Sequence, residues 1–140
     1  MKIEIENVKL GATGNFLYKL TLVRKQSRMR RKLIKLVDDR NKVYLEDLKE
    51  LQEEHAKKDK EGKAIIRDNK YDIIDKDAFS SDLKELNEEK LVIEGGDHRE
   101  MIRTIQEILR KFENEEYGAQ DSEIYDYLCE QFKIDEGNDE

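Results

Sequence analysis

The sequence predicts an α+β fold: a helix-rich single domain with one long central helix, a small sheet of short strands and two C-terminal amphipathic helices. Three observations predict it. Apolar residues recur at helical spacing over long stretches, from Met29 to Leu51 and from Met101 to Phe112. Residues 2 to 9 and 91 to 94 instead read as short strands. The 140 residues include no proline, so nothing internal breaks a helix and chain reversals fall to Gly, Asn and Asp. A chain of this length fits one domain, assigned to residues 1–134, with a disordered acidic tail at 135–140. With 36% apolar and 44% charged residues, the core must be small or the helices long with solvated faces.

Taken in order, Ile3 and Ile5 share one face of a first strand, and Gly11 to Gly14 read as a turn. Thr13 can cap a short helix through Phe16, Leu17 and Leu20, although Phe16, Tyr18, Leu20 and Leu22 also alternate as a strand would. Ser27 is the expected N-cap of the long helix, whose apolar line runs Met29, Leu33, Leu36, Val37, then Val43 or Tyr44, Leu48 and Leu51. Asp38 to Lys42 interrupts that line, which fits either a bend or a turn projecting from the core. Residues 57–62 read as a solvated end and loop.

Residues 64–67 and 71–74 form an expected hairpin, with Asn69 able to take positive φ in its turn. Asp75 or Asp77 then caps a helix presenting Phe79, Leu83 and Leu86 on one face. The strand Leu91 to Glu94 stops at Gly95-Gly96. Asp97 followed by Glu100 has the form of a capping box, opening the most regular amphipathic pattern in the chain: Met101, Ile102, Ile105, Ile108, Leu109 and Phe112. A last helix is expected from Asp121 or Ser122, turning Ile124, Tyr125, Leu128 and Phe132 inward.

Charge is polarised along the chain. Residues 1–40 hold 11 Lys/Arg against 4 Asp/Glu, residues 41–70 hold 8 against 8, and residues 71–140 hold 8 against 22, which gives +7, 0 and −14 within the net −7. Residues 19–35 contain eight basic side chains and no acidic one. Helical spacing sets Arg28, Arg31, Lys32 and Lys35 opposite Met29, Leu33 and Leu36, and Arg24 and Lys25 extend that row backwards. Cations at a helix N-terminus oppose the macrodipole, so this row should attract an anion or an acidic partner. The candidates are the protein's own acidic half, a second copy in a dimer, another protein, or a nucleic-acid backbone. A pI near 5.1 and the lack of aromatic residues between Tyr18 and Tyr44 weigh against nucleic acid, single strands above all. The acidic half suggests a further alternative, a surface that imitates nucleic acid and blocks a nucleic-acid-binding enzyme.

Groups for catalysis are sparse. His98 lies near Asp97 and Glu94, but no second histidine has ligand spacing, so no metal or cofactor is expected. Cys129 reads as a packed helix residue, and neither glycine site matches a phosphate loop or a dinucleotide fingerprint. Glu88-Glu89-Lys90 imitates part of a metal-dependent nuclease motif at a helix end, where it has no partner aspartate on a strand. The N-terminus is no signal peptide, no apolar run reaches membrane-spanning length, and a lone cysteine suits a reducing cytosol.

The run Asn15 to Leu20, then Lys25-Gln26-Ser27-Arg28-Met29-Arg30 leading into a long helix, then the Phe79 helix before Met101 to Leu109, resembles a family of small uncharacterised proteins in phages and prophages of Gram-positive bacteria. The resemblance implies a virus-encoded protein made in a host bacterial cytoplasm and carries no site residues over. The expected function is non-enzymatic: binding a protein partner in host modulation or virion assembly, with nucleic-acid binding through residues 24–35 as the alternative.

Overall fold

The structure, a computed structural model, describes residues 1–134, so the predicted tail at 135–140 lies outside the described residues. Nine elements follow one another: β1 (Lys2–Glu6), α1 (Leu10–Tyr18), α2 (Arg24–His55), β2 (Ile66–Arg67), β3 (Lys70–Tyr71), α3 (Lys76–Glu88), β4 (Lys90–Glu94), α4 (Arg99–Lys111) and α5 (Ala119–Gln131). Short 3-10 turns at Asn7–Lys9 and Gly96–His98 lead into α1 and α4. The α+β class and the long central helix are as the sequence predicts.

The core is built by both ends of the chain. β1 and β4 pair antiparallel with Ile3 opposite Ile93 and Glu6 opposite Lys90, and their inward face buries Ile3, Ile5 and Ile93. Period-2 alternation leaves Lys2, Glu4 and Val92 on the other face, where Glu4 reaches Lys90 at 3.2 Å and Lys2 at 3.4 Å. One core joins these residues to Phe16 and Leu17 of α1, Met29, Leu33 and Val37 of α2, Ile105 and Ile108 of α4, Leu128 of α5, and Phe132 just beyond it. Ile105 and Ile108 are fully buried, each contributing on the order of 2 kcal/mol from apolar area alone. Phe16, Tyr117 and Tyr125 form an aromatic cluster with centroids 5.1 to 6.0 Å apart, and Tyr125 donates its hydroxyl to the Leu109 carbonyl at 2.5 Å.

Segment 38–90 leaves this core and returns to it. Of its residues only Ala56 is fully buried, and α3 buries none. The second half of α2 lies beside α3 through polar ties: the Tyr44 hydroxyl donates to Asn87 at 2.6 Å, and His55 meets Asp82 at 2.7 Å with its ring edge-on to Phe79. The hairpin β2–β3 closes through Asp68 and Asn69, both at positive φ (52° and 65°), the geometry that favours Asn and Asp in a two-residue turn. Asn7, just after β1, locks the excursion to the core. Its amide donates to the Leu86 carbonyl at 2.9 Å, and its Oδ1 accepts from Arg40 Nε at 3.1 Å.

Several local expectations are corrected. Gly11 to Gly14 are not a turn but part of α1, and Thr13 is buried within that helix rather than capping it. Ser27 does not cap α2, which already begins at Arg24 after an extended Val23 with no side-chain cap. Asp97 and Glu100 form no capping box, because the 3-10 turn at Gly96–His98 occupies that position. The last helix starts at Ala119, ahead of Asp121 and Ser122. Helix α2 runs unbroken through Asp38 to Lys42, and Tyr44 rather than Val43 takes the half-buried position. Asp75 does cap α3, accepting from the backbone N–H groups of Asp77 and Ala78 at 3.1 Å each.

Candidate interaction surface

The first five turns of α2 sort their cations by helical phase. Met29, Leu33 and Val37 point to the core, and Arg30 and Arg40 flank them. Arg30 donates to the carbonyls of Leu17 and Leu20 at the end of α1, where the helix dipole presents a partial negative charge. Arg40 serves Asn7. Both are half-buried structural ties.

Arg24, Lys25, Arg28, Arg31, Lys32 and Lys35 occupy the opposite side of the same helix, and all six are exposed. The row predicted from periodicity is therefore brought together on one surface. Its partners are few. Lys25 meets Glu100, at the start of α4, at 2.8 Å, and Lys35 meets Asp39 within α2 at 3.3 Å. Among the described residues Arg24, Arg28, Arg31 and Lys32 have no ion-pair partner within 4 Å.

The Lys25 hydrogen bond, and then the fields of Lys25, Lys32 and Arg28, hold the Glu100 carboxyl below the usual carboxylate range. Among the described residues, Glu100 is thus the one acidic group from the C-terminal half that pairs with the row. A second, Asp121, pairs at 2.7 Å with Lys19, just ahead of it. The last two helices do not cover the row with their acidic faces, because the faces they turn toward α1, α2 and the sheet are apolar.

An acidic counterpart, unmarked by the sequence reading, lies at the other end of α2. Asp47, Glu50 and Glu54 face Asp82 and Glu85 of α3, and Glu89 just after it, across a cleft of about 310 Å³ floored by Leu51 and Leu86. Spacings of three and four residues in both helices carry that signal, but only the packing of α3 on α2 makes them neighbours. Among the described residues no group of three or more His, Cys, Asp or Glu side chains is placed to hold a metal. No helix of the described residues is long and apolar enough to cross a membrane.

These features define a helix-rich α+β domain whose longest helix is strongly dipolar on its outer side. The chain belongs to the family described as protein of unknown function (DUF1617), whose model matches residues 1–138. No curated protein and no solved structure matches it.

Proposed function

We propose that the protein is a non-enzymatic, phage-encoded interaction protein of the host bacterial cytoplasm that docks an acidic protein surface through the basic row on α2. The observation that carries this reading is the row itself: six exposed cations on one helix face, four of them with no ion-pair partner among the described residues. Exposed, unneutralised charge of one sign on a rigid helix contributes little to folding and much to steering and orienting a partner of opposite sign. The phage setting rests on the sequence resemblance alone.

The test is capture from nuclease-treated host lysate with the wild-type chain and with R28E/R31E/K32E, whose substitutions sit on solvent-facing positions. A protein retained by the wild type at low salt, and lost with the variant, is the expected result. Retention of the same proteins by both chains would remove the row from the function.

The same unpartnered guanidinium groups of Arg24, Arg28 and Arg31 favour a second reading, contact with nucleic-acid phosphates. In that case a duplex gel shift weakens with salt at a slope set by the number of phosphates neutralised, and the triple reversal abolishes it. No shift at about 50 mM salt rules this reading out.

A further inference from the structure

The basic row continues into an acidic one along the same line of α2. Steps of three and four residues carry one exposed face from Lys25 through Arg28, Lys32 and Lys35. The next steps reach Asp39 and Val43 near the middle of the helix, and then Glu46, Glu50 and Glu54. All of these side chains are exposed, with Val43 at 48%. At 1.5 Å per residue the 32 residues of α2 span about 48 Å, so the two charge centres lie roughly 30 Å apart on one straight element.

Such a line is complementary to its own reverse. We propose that two copies of this chain associate through antiparallel α2 helices, about a twofold axis beside Asp39. Residues equidistant from Asp39 in opposite directions then face each other: Arg28 meets Glu50, Lys32 meets Glu46, and the stem of Lys35 covers Val43. By symmetry each contact occurs twice, which closes the assembly at two copies. The two Asp39 carboxylates meet at the axis, where each keeps its own Lys35 at 3.3 Å. Parallel pairing is disfavoured because it sets like charges against each other over the full length.

This inference rests on the reading of the row as a protein-docking surface and names the acidic surface it fits. With Val43 as the one apolar position in the seam, attraction is mainly electrostatic, so the pair should be salt-sensitive. The net charge of −7 repels at long range, but a Debye length of about 10 Å at 0.1 M salt screens distant charges more than the close pairs.

Sedimentation velocity on the full chain tests the proposal. The wild type should be dimeric at about 0.1 M salt and monomeric at about 1 M, where screening reaches roughly 3 Å. R28E/K32E and E46K/E50K each set like charges against like and should raise the dissociation constant at least about a hundredfold, with helicity by circular dichroism unchanged. An equimolar mixture of the two variants restores opposite charges at all four contacts and should recover the dimer.

A wild-type monomer at 0.1 M salt, a mixture that stays monomeric, or growth beyond two copies would each overturn the antiparallel pair. If the wild type is monomeric while R28E/K32E still releases a captured foreign protein, self-association fails and the docking function stands. If the variant changes neither mass nor capture, both fail.

Discussion

Replacing Asn7 by Ala should loosen the tie between the core and the excursion of residues 38–90. Asn7 is almost fully buried, at 2% exposure, and bridges three elements. The substitution removes its donation to the Leu86 carbonyl, a neutral hydrogen bond contributing about 1 kcal/mol, and its acceptance from the Arg40 guanidinium, a charge-assisted bond of about 1.5 to 3 kcal/mol. Arg40 is half-buried and can turn to water, which reduces the second loss. The net destabilisation should be about 2 to 3 kcal/mol, a large share of the 5 to 15 kcal/mol typical of a domain. Urea denaturation gives the total, and native-state hydrogen exchange gives its distribution. Amides of α3, which has no fully buried residue of its own, should lose more protection than those of α4. A loss below about 0.5 kcal/mol, or equal effects on the two helices, would refute the role assigned to Asn7.

Three further outcomes follow from the described contacts. Asp75→Ala leaves the N–H groups of Asp77 and Ala78 without their acceptor and should cost about 1 kcal/mol by thermal unfolding, with Asp75→Asn losing less. Lys90 and Lys2 hold the Glu4 carboxyl below its usual range, so its stabilisation is present above the unfolded-state value and lost as pH falls through the folded one. The wild type should therefore lose more thermal stability than Glu4→Gln between pH 5 and pH 3, about the range where carboxylates titrate. Burial, followed by contact with Cys129, raises the Tyr125 phenol well above the tyrosine range, so the folded state favours the neutral form and loses stability as pH rises past about 10. Tyr125→Phe should be about 1 kcal/mol less stable at neutral pH but resist alkaline unfolding better, as followed by circular dichroism.

Elements with strong local chemistry were legible in the sequence. α4 carries its apolar period within thirteen residues, Asp75 stands directly before a periodic stretch, and Asn69 suits the turn it makes. Helix starts were less so. Thr13 and Ser27 have the side chains of caps, but both lie inside helices, where packing against the core outweighs their local preference. α2 and α5 begin without any side-chain cap, so no residue type marked their first turns. The pairing of β1 with β4 joins residues about ninety apart, a separation that only the shared core determines.

Charge followed the same division. The outward row was legible because one period assigns Arg28, Arg31, Lys32 and Lys35 to a single face. Arg30 and Arg40 were not separable from it by type, since their inward roles depend on where α1 ends and where Asn7 sits. The acidic cleft depends on α3 lying along α2, a contact with few apolar anchors and therefore little sequence signal.

Because residues 38–90 leave the core and re-enter it beside β1, their length is decoupled from the rest of the protein. Seven residues, close to two helical turns, could be removed from the outer part of α2 together with seven from α3, and the remaining faces would stay nearly in phase. The hairpin would move inward by about 10 Å while the packing of α1, α4 and α5 was untouched. Evolution can thus tune the reach of this projection separately from the foundation on which it stands.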